Sequence, residues 1–339
     1  MEKEKTDKLL TEAMLNPLSF ERAENMFDLI MDGKVSNIQI SAFLTALKVR
    51  GESIDEITAA ASIMRKKSLK VQGATDAVDI VGTGGDGKKT LNISTASALT
   101  VASSGLAVAK HGNRAISSLS GSSDALQFLG IETKMSPDKA EECLDKFNFC
   151  FMMAPVYHPA MKNVMPVRQE LGTRTIFNIL GPLTNPASVN YQLIGVYNSQ
   201  VLEKIAEVLK NLNINRAWVV HGNDGTDEIS ISGPTQVTEI DRGRIESFQI
   251  NPTDADLNVH GFDEIKGGSP EFNATKIAEL SHGTNSGFLE SVLFNSAAAL
   301  YITGKSDGLK SGVKLARDAI LNGKTKELIN NLKTFSSDI

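Results

Sequence analysis

Apolar positions near the start of the chain recur at helical spacing. Ile38, Phe43, Leu44 and Leu47 form one stripe, and Ile57, Ala60, Ala61 and Met64 form a second. Start and stop signals fall in register with them. Ser36 with Gln39, and Ser53 with Glu56, match the capping box, in which the hydroxyl takes one helix-end amide and the longer side chain reaches back to the other. Gly33 and Gly51 sit where a left-handed residue closes a helix. The pattern predicts a small all-helical N-terminal domain over residues 1–72.

From residue 77 the pattern changes. AVDIV (77–81), LAVAK (106–110), FCFMM (149–153), YQLIGV (191–196) and AWVVH (217–221) are short apolar runs, and most are separated by helical stretches. One such helix opens at Ser136-Pro137-Asp138, with Ser at the cap and Pro at the first position, and runs to Phe147. Strands that are apolar on both faces and alternate with helices indicate a mostly parallel central sheet covered by helices. The fold class expected is therefore α/β, with a larger α/β domain over 73–339. Residues 160–186 interrupt the alternation with helical signals and the Pro/Gly-rich exit GPLTNP (181–186). This segment is expected to return to the helical domain and to line a cleft between the two, which would hold the active site.

Charge and composition narrow the function. The 339 residues carry 35 Lys and Arg against 40 Asp and Glu, a net charge of −5, which argues against a nucleic-acid binder. No apolar run approaches the ~20 residues needed to cross a bilayer. Even LTVASSGLAVA (99–109) is short and broken by Ser and Gly, and the N-terminus MEKEKTDKLL is charged, without an apolar signal core. No membrane partner and a cytoplasmic location are expected. Cys143 and Cys150 flank a helix-to-strand passage, where packing explains them better than a disulfide or a metal.

The chemistry gathers in loops after the strands. VGTGGDG (81–87) matches GxGxxG at Gly82, Gly84 and Gly87, but a dinucleotide fold also wants an acidic residue about 20 positions on. Here the second strand ends in Lys110-His111, which suits phosphate and not a ribose diol, so a dehydrogenase is excluded. Two readings of the loop stand: a tight turn that needs glycine, or an anion cradle facing a helix that starts at Asn92-Ile93-Ser94-Thr95. KHGNR (110–114) and SGSSD (120–124) add phosphate-friendly groups after consecutive elements and favour the cradle. In GTDEIS (225–230), Asp227 and Glu228 read either as an acidic surface turn or as hard oxygen ligands for Mg²⁺, and no zinc-ligand spacing is present. Of His111, His158, His221, His260 and His282, His111 alone falls inside a constellation. No Ser-His-Asp or Cys-His arrangement supports covalent catalysis.

GTGGD (82–86), NIST (92–95), KHGNR (110–114), SGS (120–122), VRQELGTRTIFNILGPLTNP (167–186) and DE (227–228) resemble the signature segments of the anthranilate phosphoribosyltransferase family, over nearly the whole chain. The resemblance implies a helical domain joined to an α/β domain, usually a homodimer through the helical parts. It implies transfer of phosphoribose from phosphoribosyl pyrophosphate (PRPP) to the amine of anthranilate in tryptophan biosynthesis, with Mg²⁺, two ions per site. Carried over, it places Gly82, Gly85, Asp86, Thr90, Asn92, Ile93, Ser94, Thr95, Lys110, His111, Gly112, Asn113, Arg114, Ala115, Ile116, Ser117, Ser118 and Ser122 at PRPP. Gly82, His111, Asn113 and Arg168 are implied for anthranilate, and Ser94, Asp227 and Glu228 for the metal. Catalysis would be electrostatic and positional, without an assigned acid or base. The chain has Leu119 where the family often has Lys, which bears on PRPP affinity. Two rivals share the architecture: a pyrimidine nucleoside phosphorylase, which has no use for the Arg168 segment, and a non-enzymatic nucleic-acid-binding relative, which the acidic charge disfavours.

Overall fold

The structure is a computed structural model that describes residues 2–114, 119–284 and 286–337. Four helices open the chain: α1 (Glu2–Leu15), α2 (Phe20–Met31), α3 (Asn37–Arg50) and α4 (Ile54–Lys67). The α/β part follows as β1 (Val78–Gly82), α5 (Ile93–Ser103), β2 (Val108–Gly112), α6 (Ser122–Phe128), α7 (Pro137–Phe147) and β3 (Phe149–Met153). Short helices α8 (Ala154–Tyr157), α9 (Met165–Leu171) and α10 (Phe177–Leu180) then lead to β4 (Tyr191–Gly195), α11 (Leu202–Asn211) and β5 (Arg216–Gly222). A hairpin of β6 (Thr235–Asp241) and β7 (Arg244–Ile250) precedes α12 (Pro270–Glu279), α13 (Gly287–Ile302), α14 (Leu309–Leu321) and α15 (Lys324–Ser337).

Among the described residues one sheet runs β3-β2-β1-β4-β5-β6-β7. The first five strands are parallel, whereas β6 and β7 continue the sheet antiparallel. Continuous apolar runs do not reveal that last hairpin. Its outer strand, RIESFQI, is mostly exposed, so only scattered positions along it are apolar. Strand order reverses around β1, and there the C-terminal ends of parallel strands open a crevice.

Successive side chains of a strand point to opposite faces, and the core follows that alternation. Val78, Ile80, Leu193, Trp218 and Val220 face one cluster with α5 and α13. Val81, Ile194, Ala217 and Val219 face the other, which also contains the apolar residues of α1 to α4 and α11. Val164, Val167, Ile176, Phe177, Ile179, Leu180 and Leu183 belong to this second cluster too, so the segment between β3 and β4 packs with the N-terminal helices against one face of the sheet. The helical part therefore has no core separate from the sheet.

Both capping boxes form, at Ser36 with Gln39 and at Ser53 with Glu56. Gly33 and Gly51 have φ of 71° and 85°. One expected core position does not hold: Ile38 is 84% exposed, and the buried stripe of α3 starts at Ile40. Ile38 lies in the first turn of the helix. Cys143 and Cys150 are free and buried.

Glu56 ties the helices together. Its fully buried carboxylate accepts from Arg50 at 2.6 Å, from the Leu18 amide at 2.9 Å and from the Ser53 amide at 2.9 Å. Removing it strands a guanidinium and two amides, so Glu56→Ala is expected to cost about 3 kcal/mol of unfolding free energy. Urea unfolding checks this, and a loss below about 0.5 kcal/mol, the level of an ordinary surface change, would contradict it.

Candidate active site

The loop after β1 turns on Gly84, Gly85 and Gly87, with φ of 66°, 78° and 74°, a region that favours glycine. It is held from two sides. The Gly84 amide donates to Asp227 Oδ2 at 2.7 Å, and Asp86 accepts from the Lys88 amide at 2.9 Å and the Asp227 amide at 3.4 Å. The carboxylate loop crosses the strand ends so closely that a Cβ on Gly82 would stand 2.4 Å from Asp227 Oδ2, and one on Gly195 would stand 1.7 Å from the Asp227 carbonyl oxygen. Gly82 and Gly195 are paired neighbours on β1 and β4.

Glu228 Oε1 accepts from the Ser94 amide at 3.2 Å, which brings the carboxylates to the N-terminus of α5. Burial, with Asp86 beside it, pushes the Asp227 carboxyl up to about 7, and burial with Asp227 beside it pushes Glu228 up to about 8. Such groups are covered and crowded by one another, which is not the character of a solvated surface turn. Each accepts a backbone amide through one oxygen. Among the described residues no three His, Cys, Asp or Glu side chains already converge on a metal position. Two carboxylates with the Ser94 hydroxyl suit Mg²⁺, which commonly takes its remaining ligands from water and substrate phosphate.

Lys110 lies beneath this site and is 1% exposed. Its ammonium donates to the Ile80 carbonyl and to Ser94 Oγ, and burial draws its pKa below the ordinary value. Asn92 occupies the cap position of α5 without capping it. Ile93 is buried in the core, so its backbone alone faces the loop, and the buried Thr95 hydroxyl has no hydrogen-bond partner. Thr90 bridges Lys266 in a short antiparallel contact, where Gly267 fits because a Cβ there would meet the Thr90 carbonyl at 2.3 Å. Gly112 packs on Phe151 and Ser122, while Asn113 and Arg114 are exposed at the rim. Leu119 is 53% exposed. Ala115, Ile116, Ser117 and Ser118 lie outside the described residues.

The other wall comes from the segment between β3 and β4. The His111 amide donates to Asp79 Oδ1 at 3.2 Å, and Asn185 donates to Asp79 Oδ2 at 2.7 Å. Asp79 is fully buried, which raises its carboxyl to about 6. His111 Nδ1 is 3.0 Å from the Gly181 carbonyl, so Nδ1 carries the hydrogen and Nε2 the lone pair. That Nε2 is buried without a partner, and burial lowers the imidazole to about 3. The His158 ring meets it edge-on at 5.1 Å, with its own Nε2 unpartnered and its pKa lowered by burial to about 4. Arg168 projects from α9 with its guanidinium 5.5 Å over the Phe177 ring. Among the described residues it has no ion-pair partner, and burial lowers its pKa. Arg174 links the two walls by donating to the Gly85 carbonyl while stacking 4.1 Å over Tyr197.

Several of these residues escape a reading of the sequence. Asp79 sits inside an apolar strand, His158 stands in a segment without a chemical motif of its own, and Arg174 lies within the 167–186 segment without being singled out there. Asn295 is remote, yet its buried amide accepts from the Ile229 amide at 3.1 Å and donates back to the Ile229 carbonyl at 3.1 Å, fixing the residue after Glu228. The one visible signal is a polar residue inside an apolar run, at Asp79 and Asn295.

The sequence matches the glycosyl transferase family α/β domain over residues 74–326 and the helical bundle domain of that family over residues 3–68. It is 47% identical over 321 residues to the anthranilate phosphoribosyltransferase of a Bradyrhizobium species, covering 95% of both chains. The crystal structure of anthranilate phosphoribosyltransferase from Thermus thermophilus superimposes with a TM-score of 0.92 at 39% identity, over 97% of this chain and 99% of the other. The Saccharomyces cerevisiae enzyme in complex with PRPP and Mg superimposes at 0.89 with 28% identity, over 98% and 99%. The same yeast enzyme in complex with 4-fluoroanthranilate gives 0.86 at 26% identity, over 98% and 99%.

The neutral histidines set a pH dependence. A histidine whose folded pKa is depressed stabilises the fold above the unfolded pKa near 6.5, and that contribution fades as pH falls toward the folded value. The raised carboxyls of Asp79, Asp227 and Glu228 act with the opposite sign, so the His158 effect is isolated as a difference. The unfolding free energies of the chain and of His158→Gln are expected to converge by about 1.4 kcal/mol per pH unit between pH 6.5 and pH 4. A difference that is flat with pH would show that His158 is not held neutral.

Proposed function

The chain belongs to the anthranilate phosphoribosyltransferases of the glycosyl transferase family, and on that premise we propose how its cleft divides two substrates. The enzyme transfers the 5-phosphoribosyl group of PRPP to the amine of anthranilate, releasing pyrophosphate, in tryptophan biosynthesis. The C1–oxygen bond to pyrophosphate breaks, a C1–nitrogen bond forms, and the amine gives up one proton to give N-(5-phosphoribosyl)anthranilate.

PRPP is assigned to the glycine-loop side, against Gly82, Gly85, Asp86, Thr90, Asn92 to Thr95, Gly112 to Arg114 and Ser122, with Lys110 charging the floor beneath Ser94. The supporting observation is the unmet bonding capacity there: the Asn92 side chain does not cap α5, and the Thr95 hydroxyl is unpartnered. Asp227, Glu228 and Ser94 would hold Mg²⁺, and the ion when bound offsets the charge that pyrophosphate carries away. Two ions per site are proposed, because two carboxylates facing a pyrophosphate outweigh one divalent charge.

Anthranilate is assigned to the opposite wall. Arg168 is a half-buried guanidinium with no acid partner among the described residues, and its planar fork matches the anthranilate carboxylate. The observation that carries the assignment is this unpaired cation facing a separately built phosphate side. His111, kept neutral with Nε2 as an acceptor, can take a hydrogen of the aromatic amine and aim its lone pair at C1. Asn113 completes the rim between the two substrates. Positive charge at C1 grows as pyrophosphate departs, so stabilising the leaving group does most of the work. No strong base is required, since the amine loses its proton readily once bonded to carbon.

A homodimer through the helical part is also proposed. Leu15 is 72% exposed, Ile38 84% and Val49 82%, on α1 and α3, an apolar set that a second copy would cover. A cytoplasmic site of action fits two free, buried cysteines and the fact that no described helix is long and apolar enough to cross a membrane.

With PRPP and Mg²⁺, the enzyme is expected to consume anthranilate, read as loss of its fluorescence. No loss, with phosphorolysis of thymidine or uridine instead, would overturn the reading. Arg168→Ala removes a charge-assisted contact of about 1.5–3 kcal/mol and is expected to raise the anthranilate KM by about ten- to a hundredfold, with the PRPP KM within about twofold. Equal effects on both would remove Arg168 from that role.

A further inference from the structure

Asn is among the best residues for capping a helix, and Asn92 stands at the cap position of α5, yet its side chain makes no cap bond. Its amide is taken up elsewhere. Asn92 Oδ1 accepts from Ser120 Oγ at 3.0 Å and from Asn273 Nδ2 at 2.8 Å, and Asn92 Nδ2 donates to the Ser120 carbonyl at 3.2 Å. A carbonyl oxygen has two lone pairs, so Oδ1 is fully used, and one Nδ2 hydrogen is left.

Asn273 is 1% exposed and belongs to the first turn of α12, outside the cleft. It is itself fixed, because its Oδ1 accepts from the Gly268 amide at 2.8 Å. Gly268 follows the strap that crosses the glycine loop, where the Leu91 amide donates to the Ile265 carbonyl at 2.8 Å and the Gly267 amide to the Lys89 carbonyl at 2.8 Å. Asn273 thus grips the strap with one atom and Asn92 with the other.

We propose that Asn273 is a positioning residue for PRPP: it holds the Asn92 amide away from its own helix, with the nitrogen turned toward the ligand and the Thr95 amide left open to an anion. The inference rests on the reading that Asn92 meets PRPP. Two consequences follow from the bonding. Without Asn273, the Asn92 side chain is held by Ser120 alone and can leave it to cap the Thr95 amide, which closes that amide to phosphate. Its amide can also reverse, which turns an oxygen toward a polyanion. Both weaken PRPP and leave the Arg168 wall untouched.

The test is steady-state kinetics with both substrates, on folded protein checked by thermal melting. Asn273→Ala is expected to raise the PRPP KM about tenfold, with the anthranilate KM within twofold and kcat at saturating PRPP within threefold. Asn273→Ser keeps a hydroxyl for the Gly268 amide but cannot span to Asn92, so it gives the same split and serves if the alanine variant does not fold. In an Asn92→Ala background, the Asn273 replacement is expected to change the PRPP KM by less than twofold, since it acts through a side chain no longer present. The same tenfold factor in both backgrounds, or equal rises in both KM values, would overturn the proposal while leaving Asn92 at PRPP. An unchanged PRPP KM in Asn92→Ala alone would remove Asn92 from the PRPP site, and the proposal with it.

Discussion

Everything in the cleft is referred to the path of the Asp227 backbone across the paired ends of β1 and β4. There the approach is so close that a Cβ at Gly195 would lie 1.7 Å from the Asp227 carbonyl oxygen, and one at Gly82 would lie 2.4 Å from Asp227 Oδ2. Interiors packed at this density do not yield by such amounts, so two hydrogen atoms decide whether the carboxylate loop can lie down. Once it does, the Gly84 amide closes on Asp227 and the Ser94 amide on Glu228, and the glycine loop, the start of α5 and the acidic pair become one object.

That contact sets the electrostatics. Asp227 and Glu228 are brought together in a partly covered place, which raises both carboxyls, and the buried Lys110 answers them from below. On the other wall the buried histidines are neutral and, among the described residues, Arg168 has no acid partner. The cleft therefore presents separate unmet needs: for cations bridging to phosphate on one side, and for a carboxylate on the other. A substrate pair of polyanionic PRPP and a small aromatic acid meets both at once, and joining them across the gap is the reaction.

How much of this is legible in the sequence depends on the kind of residue. The five parallel strands are apolar runs, and the strand ends locate Gly82, Lys110-His111 and Asp227-Glu228 at one edge before any coordinates are seen. Ile38 shows the limit of periodicity, since a stripe marks an apolar face without saying whether this chain or another copy covers it. The β6 and β7 strands are missed because β6 mixes polar with apolar residues and β7 is a mostly exposed edge, so neither reads as a continuous apolar run. Asp79, Asn273 and Asn295 are missed for a different reason: their partners are distant in sequence, so no local spacing can announce that they hold His111, Asn92 and Ile229. The acidic turn at 227–228 reads two ways until burial distinguishes them.

The most direct test is to fill the space on which the site rests. Gly195 has no positive φ that demands glycine, so Gly195→Ala tests the close approach alone. The variant should still fold, with a lowered melting temperature, bind PRPP in the presence of Mg²⁺ at least a hundredfold more weakly by calorimetry, and show no Mg²⁺-dependent turnover. A Gly195→Ala enzyme that binds PRPP with Mg²⁺ as tightly as the parent would contradict the account.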